Sequence, residues 1–188
     1  MWRLLLFLSI LPIAAALIAR WFFGMRVLAD VGARRCRCDL GTWLPLPDDK
    51  AVIHRAEDSA AEFGRQVRLK ALAEWRERDS KAAAARENSR RFGTAVPPLS
   101  AMVAVMAIIV AKIMPINAIA LVLAATALAS VLGVLSMAPE LAAITRAAKK
   151  LREAKSFPHR DDEDAIIRCA VAHAWKETLP PILGLLHR

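Results

Sequence analysis

The sequence predicts an all-α polytopic membrane protein with three transmembrane helices and a long cytoplasmic helix. Three observations carry that reading. Of 188 residues, 56% are hydrophobic, and they are gathered into blocks along the chain. Between the blocks lie segments rich in Lys and Arg, which leave a net charge of +9. Within the longest polar segment the apolar residues recur every three or four positions, the period of a helix with one buried face.

The first block, LLLFLSILPIAAALIA from Leu4 to Ala19, is uncharged and lies between Arg3 and Arg20. It reaches spanning length when both arginines snorkel and Trp2 and Trp21 sit at the interfaces. A cleaved signal peptide is the rival reading, because Arg3 forms a short basic n-region. The continuing apolar run WFFGM and the cluster Arg26, Arg34, Arg35 and Arg37 look like a stop-transfer flank, so residues 1–25 are assigned to transmembrane helix 1.

The second block, residues 96–138, has Lys112 as its one charge and is too long for a single span. Pro115 disfavours helix at the preceding residue and Asn117 suits a turn, so KIMPIN divides the block into a hairpin. Helix 2 is expected at about Pro98 to Ile113 and helix 3 at about Asn117 to Met137. Lys and Arg are concentrated before helix 2 and after helix 3, which puts the N-terminus outside and both polar regions in the cytoplasm.

The cytoplasmic loop, residues 26–95, opens with the irregular RRCRCDLGTWLPLPDD. Asp48 or Asp49 caps a helix expected to run to about Arg91, with Gly93 as its stop. Val52, Ala56, Ala60, Phe63, Val67, Ala71 and Trp75 form one apolar stripe along it. A lone helix does not bury such a stripe, so a partner surface is implied: the C-terminal region, a second copy, another membrane protein, or the lipid headgroup layer. Val52, Phe63, Val67 and Trp75 are the candidate partner-binding residues. The tail, residues 139–188, is expected to hold helices at about Pro139 to Lys155 and Ala165 to Thr178, separated by SFPHRDDED. Pro180 and Pro181 then precede ILGLL, which is too short to span.

Two short stretches, AEFGRQVR at Ala61 to Arg68 and PELAAITRA at Pro139 to Ala147, together with the order of parts, resemble the neutral zinc metallopeptidases of bacterial membranes. Those proteins have an N-terminal span, an HExxH helix outside the bilayer, two further spans, and a Pro- and Glu-bearing segment leading into C-terminal helices. The final CAVAHAWKETLPPILGLL is similar to that family's Ala- and Leu-rich end. The resemblance implies that Glu62 stands at the general-base position, with Gly64 in register, and that Glu140 is the carboxylate of the Pro-bearing segment. Ala61 and Arg65 stand where two histidines would bind zinc, and Arg68 replaces a Gln. Two carboxylates without imidazole make a poor zinc site, so the resemblance implies a pseudoenzyme of the bacterial inner membrane, without cofactor.

Other constellations carry weaker chemistry. Cys169, His173 and Glu177 recur every four residues on one helix face and are the candidate metal ligands, with packing of a Cys and a satisfied His as the competing reading. Cys36 and Cys38 form a C-x-C beside arginines that would lower their pKa, whereas a structural disulfide is not expected in a reducing cytoplasm. HRDDED lacks the Gly and spacing of a calcium loop and favours the start of the next helix. Glu57, Asp58, Glu62, Glu74 and Glu77 interleave the basic loop, so anionic lipid headgroups account for the cations better than nucleic acid does. The expectation is a non-catalytic integral membrane protein acting as an interaction or scaffold subunit, its partner another membrane protein or a second copy. The alternative is a membrane zinc metallopeptidase-like hydrolase using the Cys169, His173 and Glu177 face.

Overall fold

The computed structural model describes residues 2–38, 57–111 and 113–177. Asp48, Asp49, Val52, Lys112, Pro180, Pro181 and the ILGLL stretch lie outside the described residues, as do the side chains of Trp2 and Arg3. The order is α1 (Trp2–Ala19), a π-helical turn (Arg20–Met25), α2 (Arg26–Asp30), β1 (Arg35–Arg37), β2 (Glu57–Ser59), α3 (Ala60–Arg78), α4 (Ser80–Ala111), α5 (Pro115–Leu135), α6 (Met137–Glu153) and α7 (Arg160–Lys176). The fold is all-α apart from the short antiparallel ribbon, in which Cys36 faces Asp58 and Arg37 faces Glu57. Three helical stretches, Leu4–Val31, Ser80–Val110 and Pro115–Glu153, are long and apolar enough to cross a membrane.

The chain divides into two compact units. In the first, α1 packs on α5, with Ile13, Ala16 and Ala127 at the centre and Leu17, Leu123 and Val134 around them. Small residues of α5, among them Ala120, Ala129, Ser130 and Gly133, are buried, so neighbouring backbone can approach closely. The hydroxyls of Thr126 and Ser130 donate to the carbonyls four residues back at 2.8 Å, which leaves neither unsatisfied in apolar surroundings. Near the end of α5, Arg86 donates to the Gly133 carbonyl at 3.2 Å and to Ser136 Oγ at 2.7 Å, meeting acceptors that the last helical turn leaves open.

Several boundaries differ from the sequence expectation, each for a local reason. The long loop helix is two helices, and Asp79 divides them: its backbone N–H closes α3 on the Trp75 carbonyl at 2.8 Å, while its Oδ1 accepts from Ala82 at 3.0 Å as the cap of α4. Gly93 stops nothing, for α4 continues through it and through Pro97 and Pro98. Each proline removes one hydrogen bond, a small fraction of a helix of 32 residues. Within the stretch expected to be irregular, Arg35–Arg37 form β1. Helix α7 begins at Arg160, because three acidic residues in its first turn match the positive end of the helix dipole.

The second unit holds α2, the ribbon, α3, α7 and α6 from Ala138 onward. Phe63, Val67, Ala71 and Trp75 are all buried here, with α3 packed along α7 and joined to α6. The chain's own C-terminal region, one of the four surfaces the sequence left open, therefore packs against that stretch of the stripe. Helix α6 ends in a Schellman arrangement: Ser156 N–H reaches Leu151 O, Lys155 N–H reaches Arg152 O, and Lys155 takes a φ of 52°.

Close approach of α3 and α7 depends on Gly64. A β-carbon there would stand 2.7 Å from Ala170 N and from Cys169 Cβ. Gly64→Ala is therefore expected to destabilise the fold by about 1–3 kcal/mol through overpacking. Thermal unfolding of the detergent-solubilised chain checks this, and an unchanged midpoint would contradict the close approach.

Candidate functional site

The stretch AEFGRQVR, Ala61 to Arg68, lies in the N-terminal half of α3. Ser59 adopts extended backbone and its Oγ accepts from Glu62 N–H at 3.2 Å, so Ser59 and Glu62 stand at the S-x-x-E spacing of a capping box. The Glu62 carboxylate does not turn back to the cap. Arg65 holds it with two bonds, Nε at 3.0 Å and Nη2 at 2.6 Å, and Gln66 Nε2 adds a third at 3.3 Å. The Arg65 guanidinium thereby holds the Glu62 carboxyl below the usual carboxylate range, against a smaller opposing effect of burial. Ala61 offers its backbone carbonyl to His173, whose Nε2 lies 2.9 Å away and donates to it.

Three residues after Arg65, Arg68 reaches α6. Its Nε and Nη2 each lie 2.8 Å from Glu140 Oε1, and the two side chains are only 7% and 2% exposed. The structure thus brings together the two stretches that carry the resemblance, through a buried ion pair between residues far apart in sequence. Sequence reasoning singled out Glu140 but missed Arg68 as its partner, since no periodicity links helices on either side of an apolar hairpin. Glu140 also lies in the first turn of α6, where the helix dipole favours a negative charge.

Each of the three tail-helix residues has its own surroundings. Cys169 is buried beside Gly64, His173 is turned to the Ala61 carbonyl, and Glu177 follows the end of α7 with its carboxylate 4.0 Å from Arg90. Among the described residues no group of three or more His, Cys, Asp or Glu is close enough together to hold a metal ion. Cys36 and Cys38 are both buried. Burial and the nearby Asp162 outweigh Arg34 and push the Cys36 thiol up, opposite to the effect expected of its arginine neighbours. The HRDDED carboxylates are structural: Asp162 accepts from Arg34 Nη2 at 3.3 Å and from Arg37 N–H at 3.2 Å, and Glu163 pairs with Arg152.

Removing one partner of the buried pair leaves the other charged and desolvated, so Arg68→Met and Glu140→Met are each expected to cost about 3–5 kcal/mol. The double substitution is expected to cost less than the sum of the two, and additive losses in thermal unfolding would show that the pair is not coupled. A second expectation concerns Cys169, whose thiol burial pushes up to about 11. Because the thiolate is the nucleophile, Cys169 should resist iodoacetamide in the native chain near neutral pH and react after unfolding, as peptide mass spectrometry would read. Equal labelling in both states would count against it.

Compared with known proteins, the chain matches no family model, no curated protein and no solved structure.

Proposed function

We propose that the chain is a non-catalytic integral membrane protein acting as an interaction or scaffold subunit, and that α3 and α6 form a metallopeptidase-like frame without its metal site. The observation that supports this most strongly is the commitment of both candidate carboxylates to arginines of α3, Glu62 to Arg65 and Glu140 to Arg68. A zinc site gathers imidazole, thiolate or carboxylate ligands around the metal's positive charge. Here guanidinium groups already supply the positive charge, and a metal at Glu140 would have to displace one from a buried pair.

In this reading the three apolar helices cross the membrane, with the N-terminus outside and the basic segments on the cytoplasmic side among anionic headgroups. Since the α3 stripe is covered by the chain itself, another membrane protein or a second copy meets the exposed face of α4. Leu99, Met102, Val103, Met106, Ile109 and Val110 recur there at helical spacing and are all more than half exposed. The methionines make such a face adaptable to a partner helix.

Light scattering and elemental analysis of one detergent-purified sample test both halves. The expected result is a mass above that of one chain, or a co-purifying membrane protein, with no stoichiometric transition metal. A bare monomer would remove the scaffold role. Stoichiometric zinc that disappears on His173→Ala would replace the proposal with a hydrolase centred on α7.

A further inference from the structure

Beyond the carboxylates, α3 and α6 enclose a second feature that the scaffold role does not use. A cleft of about 230 Å³ opens between them. Its buried floor is Ala71 and Trp75 of α3 and Ala143 of α6, and its charged rim includes Glu74 and Arg78 on one side and Arg146, Lys149, Lys150 and Glu153 on the other. The spacing of Ala71, Glu74, Trp75 and Arg78 sets all four on one helix face, and the small side chains of Ala71 and Ala143 leave the room.

The charges in this cleft do not cancel. Lys150 Nζ lies 2.7 Å from Glu74 and Lys149 Nζ 3.9 Å from Glu153, so both carboxylates are taken by lysines. Arg78 and Arg146 have no carboxylate partner among the described residues, although Arg146 Nε donates to the Ala142 carbonyl at 3.1 Å. The C-terminal ends of α3 and α6 bring roughly half a negative charge each, which four cations against two carboxylates still outweigh. Two guanidinium groups are thus left to meet an anion, and their planar forks suit phosphate oxygens. The volume lies below the roughly 300–1,000 Å³ of drug-sized ligand sites, which fits a headgroup-sized anion better than an extended ligand.

We propose that this cleft binds a phosphate group on an anionic ligand, either a lipid headgroup or free phosphate, with Arg78 and Arg146 as its principal contacts. The site rests on α3 and α6 alone and stands whether or not the scaffold role does.

The test is calorimetric titration of the full chain in neutral detergent with inorganic phosphate, dioctanoyl phosphatidylglycerol and dioctanoyl phosphatidylcholine. The paired variants are R78Q/R146Q and, as a control of equal charge change elsewhere, R90Q/R91Q. Saturable binding of phosphate or phosphatidylglycerol is expected, weakened roughly tenfold or more in R78Q/R146Q and little changed in R90Q/R91Q. Binding of phosphatidylglycerol without inorganic phosphate assigns the site to lipid, and the reverse assigns it to a solute. Arg78 and Arg146 are exposed, and the single variant R146Q reads the same loss on a smaller scale should the double variant not fold. No saturable binding of either anionic probe, binding of phosphatidylcholine equal to that of phosphatidylglycerol, or equal weakening in the control pair would overturn the proposal.

Discussion

A guanidinium and a carboxylate withdrawn from water set the register of the basic unit. Arg68 and Glu140 are nearly inaccessible to solvent and meet at 2.8 Å. Taking two charges out of water costs several kcal/mol per ion, and their mutual attraction repays this only when geometry is good. A slip of α6 by one turn, about 5.4 Å, would leave both charges buried and alone. The pair therefore acts less as a source of net stability than as a penalty on every other register. Ten residues further along α6, Lys150 meets Glu74 of α3. Both contacts advance in the same chain direction, so the two helices run the same way and bring their C-terminal ends to the same cleft.

Helix α7 completes the unit by a different kind of constraint. Gly64 lets the α7 backbone close against α3, and that approach carries Cys169 into the interior and His173 to the Ala61 carbonyl. At the start of α7, Asp162 binds Arg34 and the backbone of Arg37, which ties the ribbon to the helix. Groups that look reactive in a sequence are here spent on structure: Glu62 on Arg65, Glu140 on Arg68, Asp162 on the ribbon. Of these, Glu62 has its carboxyl held below the usual range by Arg65, which makes it a weaker base.

What the sequence made legible follows the range of each signal. The two apolar blocks are local and long, and the three spans expected from them overlap the three helical stretches of membrane-crossing length. The S-x-x-E of Ser59 and Glu62, which marks the start of α3, is an equally local signal, overlooked when Asp48 or Asp49 is taken as the cap. By contrast, Asp79 acts as the end of one helix and the cap of the next, a double role that an unbroken charged Ala-rich pattern conceals. Pro97 and Pro98 read as a boundary, yet the helix on each side is long enough to absorb two missing bonds. The pairing of Arg68 with Glu140 was beyond reach, because it joins segments separated by the whole hairpin. The stripe from Phe63 to Trp75 was visible but its cover was not: amphipathicity states that a face is buried, not by what.

The net charge of +9 takes its meaning from where the unmatched cations lie. Buried charge in the second unit is matched, since Arg68 with Glu140 is neutral as a pair and the largely buried Asp162 and Glu163 are met by Arg34 and Arg152. Exposed pairs such as Lys149 with Glu153 contribute little to folding and are screened over roughly 8 Å at physiological salt. Removing surplus surface cations would therefore change the fold little, whereas the same cations set the potential that an approaching anion meets. An anion attracted by that potential meets a concave floor in the α3–α6 cleft, where Arg78 and Arg146 both line the rim and have no carboxylate partner among the described residues.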